Sequence, residues 1–289
     1  MQRRAFIKNT GAVALATGIV GPGFVSYGSS TKLTVFHTND LHNCFNRNTH
    51  AWVPKPGALN SLYEQISQAK LQFPESILLD AGDFCDSNPG SGAMIAQMSE
   101  LGYDAVTLGA QELAMAPPTL SQMLHKATFS VLACNEIGTN LDLKAKPYQV
   151  FQRGSLKIGV LGIGASSTPL LHSAELDILN QANHFAHHLR QVERVDYVVA
   201  LSHLGYWHTD GRISDLDLAR QSENIDLIIG GQSHTFMEEP IFLNNKKGRS
   251  IAIKHAGCDG ALLGQIDIQF FSDGRAPELN CKNNVLSMA

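Results

Sequence analysis

The sequence lacks a basic surplus. Its 22 Lys and Arg face 26 Asp and Glu, a formal net charge of −4, so composition offers nothing to hold a polyanion and argues against a nucleic-acid partner. It also lacks any run apolar and long enough to span a bilayer. Its five cysteines, Cys44, Cys85, Cys134, Cys258 and Cys281, have no metal-type spacing and are odd in number, which excludes a disulfide scaffold. Cys44 and Cys85 each lie two residues past a candidate metal ligand, so a pairing of the two or simple packing both fit. Linkers and internal repeats are missing as well. What remains is an ordinary globular chain of 289 residues, 44% apolar, enough for a sizeable core in one large domain or two small ones.

The first residues, MQRRAFIKNTGAVALATGIVGPG, place Arg3 and Arg4 ahead of a mildly apolar run that Pro22 closes. This is how an export signal is built, and Arg-Arg-x-Phe-Ile-Lys resembles the twin-arginine kind. Residues 1–30 are therefore set apart as a signal and residues 31–289 as the folded domain, with the periplasm as destination. A signal left uncleaved would anchor the chain to the membrane.

Through the rest of the chain, short apolar strands repeatedly run into polar turns. Leu33, Val35 and Phe36 suit a buried strand that stops at Thr38-Asn39-Asp40-Leu41-His42. Leu59, Leu62, Ile66 and Ala69 have helical spacing. A strand over 76–79 ends at Asp80-Ala81-Gly82-Asp83, where the glycine permits a tight turn that presents Asp83. A helix over 91–101 leads to a strand over 105–108 that ends in Gly109-Ala110-Gln111-Glu112, and Pro117-Pro118 opens another helix. A strand over 129–133 and a hairpin-like pair, 148–151 with 156–163, complete the first half. The second half restarts with a helix near 181–194, a strand over 195–201 ending at His203, and one over 226–229 ending at Gly230-Gly231-Gln232-Ser233-His234. Strands near 240, 251 and 262–271 alternate apolar and polar residues, which predicts a meander covered on one face. The pattern implies an α/β domain with its site at one rim of the sheets.

Asp40 and His42 stand two residues apart, the spacing that points side chains the same way in extended backbone. Alone the pair is weak, since Asp and His are common turn residues. Taken with Asp83, His203 and His234, each directly after an apolar strand, it points to a divalent metal: Zn, Mn, Mg or Ca. His50, His125, His184, His187, His188 and His255 carry no motif and are read as surface or core packing. Trp207 and His208 either line the pocket or cover it.

These residues resemble the calcineurin-like metallophosphoesterases, and within them the N-terminal catalytic domain of the periplasmic 5'-nucleotidases. Phe36 to His42 is similar to the family's opening motif, Leu79 to Asp83 to its second, Leu201 to Gly205 to its fourth and Gly230 to Thr235 to its fifth, over a match from Leu33 to about Phe271. The resemblance implies a four-layer α-β-β-α sandwich in which two metals about 3.5–4 Å apart clamp an in-line displacement at phosphorus. It implies Asp83 as the bridge between them. Asp40, His42 and His234 would complete the first site, and His203 with an Asn and a His the second.

The chain departs from the family at the third motif, expected as Gly-Asn-His-Glu. Ala110 stands for the Asn ligand and Gln111 for the His that acts as acid toward the leaving group, so no catalytic acid is identified. Gln232 stands for a His in the fifth motif and offers only a carbonyl oxygen, a weak second-site ligand. The changes all fall on the second metal and the acid. The expectation is one tight metal, a doubtful second, and weakened hydrolysis of nucleotides or other phosphate esters. Two alternatives stand beside it: a degenerate metal- or nucleotide-binding protein, and a subunit whose substrate domain, the C-terminal domain usual in 5'-nucleotidases and not found here, comes from a separate chain.

Overall fold

The computed structural model describes residues 30–44, 58–85, 91–136, 144–165 and 172–285. The segment read as an export signal falls outside these, apart from Ser30, as does His50. Among the described residues no helix is long and apolar enough to cross a membrane.

Strands β1 (Ser30–Thr38), β2 (Ile77–Asp80), β3 (Ala105–Thr107), β4 (Ser130–Leu132) and β5 (Ala145–Lys146) run parallel in one sheet. Helices α1 (Ala58–Gln72), α2 (Ser91–Glu100), α3 (Ala110–Leu113) and α4 (Pro117–Leu124) fall between them in sequence. A second sheet takes β6 (Tyr148–Arg153), β7 (Leu156–Ile163), β8 (Tyr197–Ser202), β9 (Leu227–Gly230), β10 (Ile241–Asn244) and β11 (Ser250–Lys254), with α5 (His172–Gln191) and α6 (Asp215–Gln221). Strands β12 (Leu262–Phe271) and β13 (Glu278–Val285) then return to the first sheet, whose order is β13-β12-β1-β2-β3-β4-β5. The second runs β10-β11-β9-β8-β7-β6.

Strand alternation divides the apolar residues into three layers of core. Leu33 and Val35 of β1, Leu79 of β2, Val199 and Leu201 of β8 and Ile229 of β9 meet between the sheets. Phe36 and Leu78, of opposite parity, face α1, α2 and α4 through Leu62, Ile66, Met94 and Leu120. Val198, Ala200 and Ile228 face α5 and α6 through Ala186, Leu189 and Leu218. Three cores between four layers make the α-β-β-α sandwich. Its stability rests on these contacts, since each fully buried Leu, Ile or Phe contributes roughly 1.5–3 kcal/mol.

The expected meander does not form. Strand β11 pairs parallel with β9 and antiparallel with β10, whereas β12 crosses to the first sheet and pairs antiparallel with β1, Leu33 opposite Ile268. Nor is β12 covered on one face only, because Leu262–Ile268 is buried throughout. Its inner residues Ile266 and Ile268 join the inter-sheet core. On its outer face Asp267 stays buried by accepting from Thr34 Oγ1 at 2.8 Å and pairing with Lys32. A polar residue so satisfied looks solvent-facing in sequence. The sequence reading also passes over β13, α3 and α6, although Ser214 caps α6 and forms a capping box with Asp217, a legible start signal.

The parallel pairings place the C-terminal ends of β1, β2, β3, β8, β9 and β11 along one rim. The polar turns that follow them meet there.

Candidate metal centre

Three backbone bonds stitch the first two turns together: Asp40 N–H to Gly82 O, His42 N–H to Asp83 O and Asn43 N–H to Phe84 O, each 2.9 Å. Asp40, His42 and Asp83 adopt left-handed backbone, with φ of 53°, 45° and 55°. Asp40 and His42 therefore converge through a coiled turn and not through the two-residue period of extended chain, which corrects the reason given for their spacing. His234, at φ 50°, repeats the geometry in the turn after β9.

Asp40, His42 and His234 form one cluster of possible ligand atoms, and Asp40, Asp83 and His203 another; within each, the atoms lie within 4.8 Å of one another. His234 Nε2 is 3.5 Å from Asp40 Oδ1, and His42 Nε2 is 3.9 Å from Asp83 Oδ2. His203 Nε2 is 3.3 Å from Asp83 Oδ2 and 3.9 Å from Asp40 Oδ1. Every residue singled out as an intact ligand thus reaches the same place.

The donors fit a cation. His203 is fully buried, its Nδ1 bonded to Ala81 O at 2.6 Å, and its Nε2 meets no hydrogen-bond partner in good geometry although two carboxylates face it. A buried, aimed, unsatisfied nitrogen between carboxylates is what a divalent ion would satisfy. Burial alone would lower the His203 pKa, but the close approach and charge of Asp83, then the charge of Asp40, raise it to about 9. The same contact, with the Gln111 amide and His42, overrides burial and lowers Asp83. Burial likewise opposes charge at His42, where a hydrogen bond to Asp259 and the nearby Asp40, Asp259 and Asp83 carboxylates win and raise the pKa.

The altered motif is placed less productively. Ala110 is exposed at the start of α3, and Gln111 meets Asp83 through its backbone, the N–H donating to Oδ1 at 2.8 Å. Gln232 donates its N–H to both Asp40 oxygens, at 3.1 and 2.9 Å. Its side-chain oxygen lies against Gly205, where any Cβ would collide with it.

Two carboxylates that sequence reasoning missed hold this assembly. Buried Glu112 accepts from Asp83 N–H at 3.0 Å, Cys85 N–H at 2.8 Å and Gly109 N–H at 2.8 Å, clasping the second turn to the third. Burial and the Asp83 charge push it up to about 7 against the pull of the Cys85 and Gly109 amides. Gly109 must lack a side chain, because a Cβ would strike Asp83. Asp259, in the turn after β11, lies 3.0 Å from His42 Nδ1. That turn, Gly257-Cys258-Asp259-Gly260, carries the same signal as the others, polar residues and glycine after an apolar strand.

Four of the histidines read as packing take partners outside the cluster. Buried His255 pairs with Asp215 at 2.8 Å, His125 caps its own helix end at Ser121 O, and His184 and His188 pack against Phe185 and Tyr148. His208 Nε2 bonds Leu204 O at 2.6 Å, and Trp207 is exposed. Among the described residues no disulfide links Cys44 to Cys85.

Comparison with known proteins finds relatives in both sequence and fold. Residues 33–236 match the family described as calcineurin-like phosphoesterase. The 5'-nucleotidase of Vibrio parahaemolyticus is 27% identical over 265 residues, 83% of this chain and 47% of that protein. The snake venom 5'-nucleotidase of Gloydius brevicauda is 24% identical over 284 residues, 85% of this chain and 46% of the other. The structure of Haemophilus influenzae NAD nucleotidase superposes with a TM-score of 0.70 at 19% identity, over 89% of this chain and 50% of that one. The chain spans about half the length of the curated relatives it matches.

Proposed function

This chain belongs to the calcineurin-like phosphoesterase family, and from that premise we propose that it is an exported, metal-dependent hydrolase of phosphate esters, 5'-nucleotidase-like in substrate and slow in turnover. Asp40, His42, Asp83 and His234 would hold one tight ion, and His203 with Asp83 and Gln232 a second, weaker one. The observation that carries the reading is His203 Nε2, buried and unsatisfied between Asp83 and Asp40.

When bound, the ion supplies Lewis acidity toward a phosphoryl oxygen. The chain's own groups do the rest. Asp40 is fixed by the Gln232 amide and by Asn39 Nδ2 at 2.8 Å, so it cannot rotate out of the site. The Ala81 carbonyl holds the proton on Nδ1 of His203 and leaves the Nε2 lone pair to face a cation. Gln111 cannot give a proton to the leaving group, and loss of a general acid typically costs about 10²–10⁴-fold in rate. Esters with good leaving groups, which need no protonation, would suffer least.

A second reading, a protein that binds metal and phosphate without turnover, is favoured by that same third motif. Metal content and turnover separate the two. The stripped protein reloaded with Mn²⁺ should carry close to one tight ion per chain and release phosphate slowly from p-nitrophenyl phosphate and AMP. Asp40→Asn should lose both ion and activity. Tight metal with no turnover above a chelator control would establish the binding protein, and two tight ions with brisk turnover would refute the one-ion assignment.

A further inference from the structure

His42 and His203 reach the centre with Nε2, and each must keep its proton on Nδ1 to do so. For His203 the acceptor is main chain, the Ala81 carbonyl. For His42 it is a side chain. We propose that Asp259 is a positioning residue of the metal centre, its carboxylate taking the Nδ1–H of His42 and so holding the imidazole in the tautomer and orientation that present Nε2 to a divalent ion. The proposal rests on the metal-dependent reading above and adds to it a residue outside the motifs.

Four observations carry it. The Nδ1 to Oδ1 distance is 3.0 Å, while Nε2 on the far side of the ring points toward Asp83 Oδ2. The ring is also braced edge to face against His234, centroids 5.0 Å apart. Asp259 is itself anchored, since its N–H donates to Asp40 O at 2.7 Å and Cys258 Sγ lies 3.6 Å from its other carboxylate oxygen. Its loop touches the elements that carry the other donors of the first cluster. Gly257 N–H donates to Thr235 O, beside His234, and Gly257 O accepts from the Asn39 amide that also grips Asp40. A displacement of this loop would move three ligands, but removal of the carboxylate alone should release only His42.

That distinction makes the test. Asp259 sits at φ 55°, where glycine is unstrained, so Asp259→Gly deletes the side chain without burdening the backbone. Asp259→Asn keeps an acceptor oxygen without the charge and tolerates the same backbone. Mn²⁺ affinity and stoichiometry are measured on the metal-stripped full chain by calorimetric titration, beside the thermal midpoint in chelator. Asp259→Gly should weaken Mn²⁺ binding by about 10–100-fold, the usual effect of removing a ligand's carboxylate partner. Its midpoint in chelator should change little, and Asp259→Asn should recover most of the affinity. In a His42→Ala background, neither change should weaken binding further. Affinity within about twofold of wild type in Asp259→Gly, or a full additional loss in the His42→Ala background, overturns the positioning role. Should the glycine variant not fold, Asp259→Asn with and without His42→Ala gives the same cycle, with a loss of several-fold expected only where His42 is present. A wild-type chain that takes up no Mn²⁺ would instead sink the functional reading, and the positioning role with it.

Discussion

Removing Glu112 tests how the second and third turns are held. Its carboxylate is the acceptor for the amides of Asp83, Cys85 and Gly109 at 2.8–3.0 Å. Glu112→Ala leaves three donors in a buried site. An unsatisfied buried donor costs about 1–3 kcal/mol, so the loss is roughly 3–9 kcal/mol, nearer the low end if water enters the space. Domains are stable by only about 5–15 kcal/mol, so the variant should be marginally folded. Glu112→Gln retains one acceptor oxygen and turns a donor group toward the amides, and should lose about half as much. Urea unfolding of the metal-free protein measures both, and a Mn²⁺ titration under folding conditions adds the functional consequence. Asp83 should be displaced in the alanine variant, with loss of tight binding. An unfolding free energy for Glu112→Ala within about 1 kcal/mol of wild type would refute the clasp, because the smallest single-donor penalty is already that large.

Three further outcomes are expected. Restoring Ala110→Asn, Gln111→His and Gln232→His together should raise metal stoichiometry toward two and turnover by at least about 10²-fold, with single changes doing much less; no gain in either would mean that other losses limit the chain. His37, buried on the inter-sheet face, has its pKa lowered to about 3 by burial, with Lys254 and His255 adding to the effect. Its folded pKa lies below the unfolded 6.5, so the stability it confers is complete above pH 6.5 and drains away as pH falls toward 3; His37→Leu should flatten that acid limb, and an unchanged limb would count against it. A chain carrying Arg3→Lys and Arg4→Lys should stay in the cytoplasm, and normal periplasmic yield would show the signal misread.

The rim was legible because apolar runs such as Leu33 to Phe36 or Tyr197 to Leu201 stop abruptly at Asp, His and Gly, and a parallel sheet collects such stops at one edge. What pairs with what was not. The crossing of β12 depends on its fit beside β1, and Asp267, buried beside Lys32 and Thr34, reads in sequence like a residue facing water. Asp259 was hidden for another reason. It meets His42 from 217 residues away in sequence, and nothing in local spacing reports a partner so distant. Glu112 was visible as part of a motif, but its three amide partners belong to turns whose proximity only the fold creates. The convergence of Asp40 and His42 was expected from extended backbone and arises instead from left-handed turns, which Asp and His enter more readily than most residues but which local spacing does not announce.

Those left-handed turns carry a consequence for selection. Asp40, His42, Asp83 and His234 occupy backbone that glycine adopts freely and that other residues occupy at about 1–3 kcal/mol each. At Asp40, His42 and Asp83 the side chain offsets that cost through its bonds with Gln232, Asn39, Asp259 and Gln111. At exposed His234, glycine would relieve strain and disturb no core. Stability and the proposed ion holding therefore pull in opposite directions at His234, the reverse of a core position, where packing favours the resident side chain. An imidazole held in that conformation at the surface is what the proposed grip on a cation would account for and folding stability alone would not.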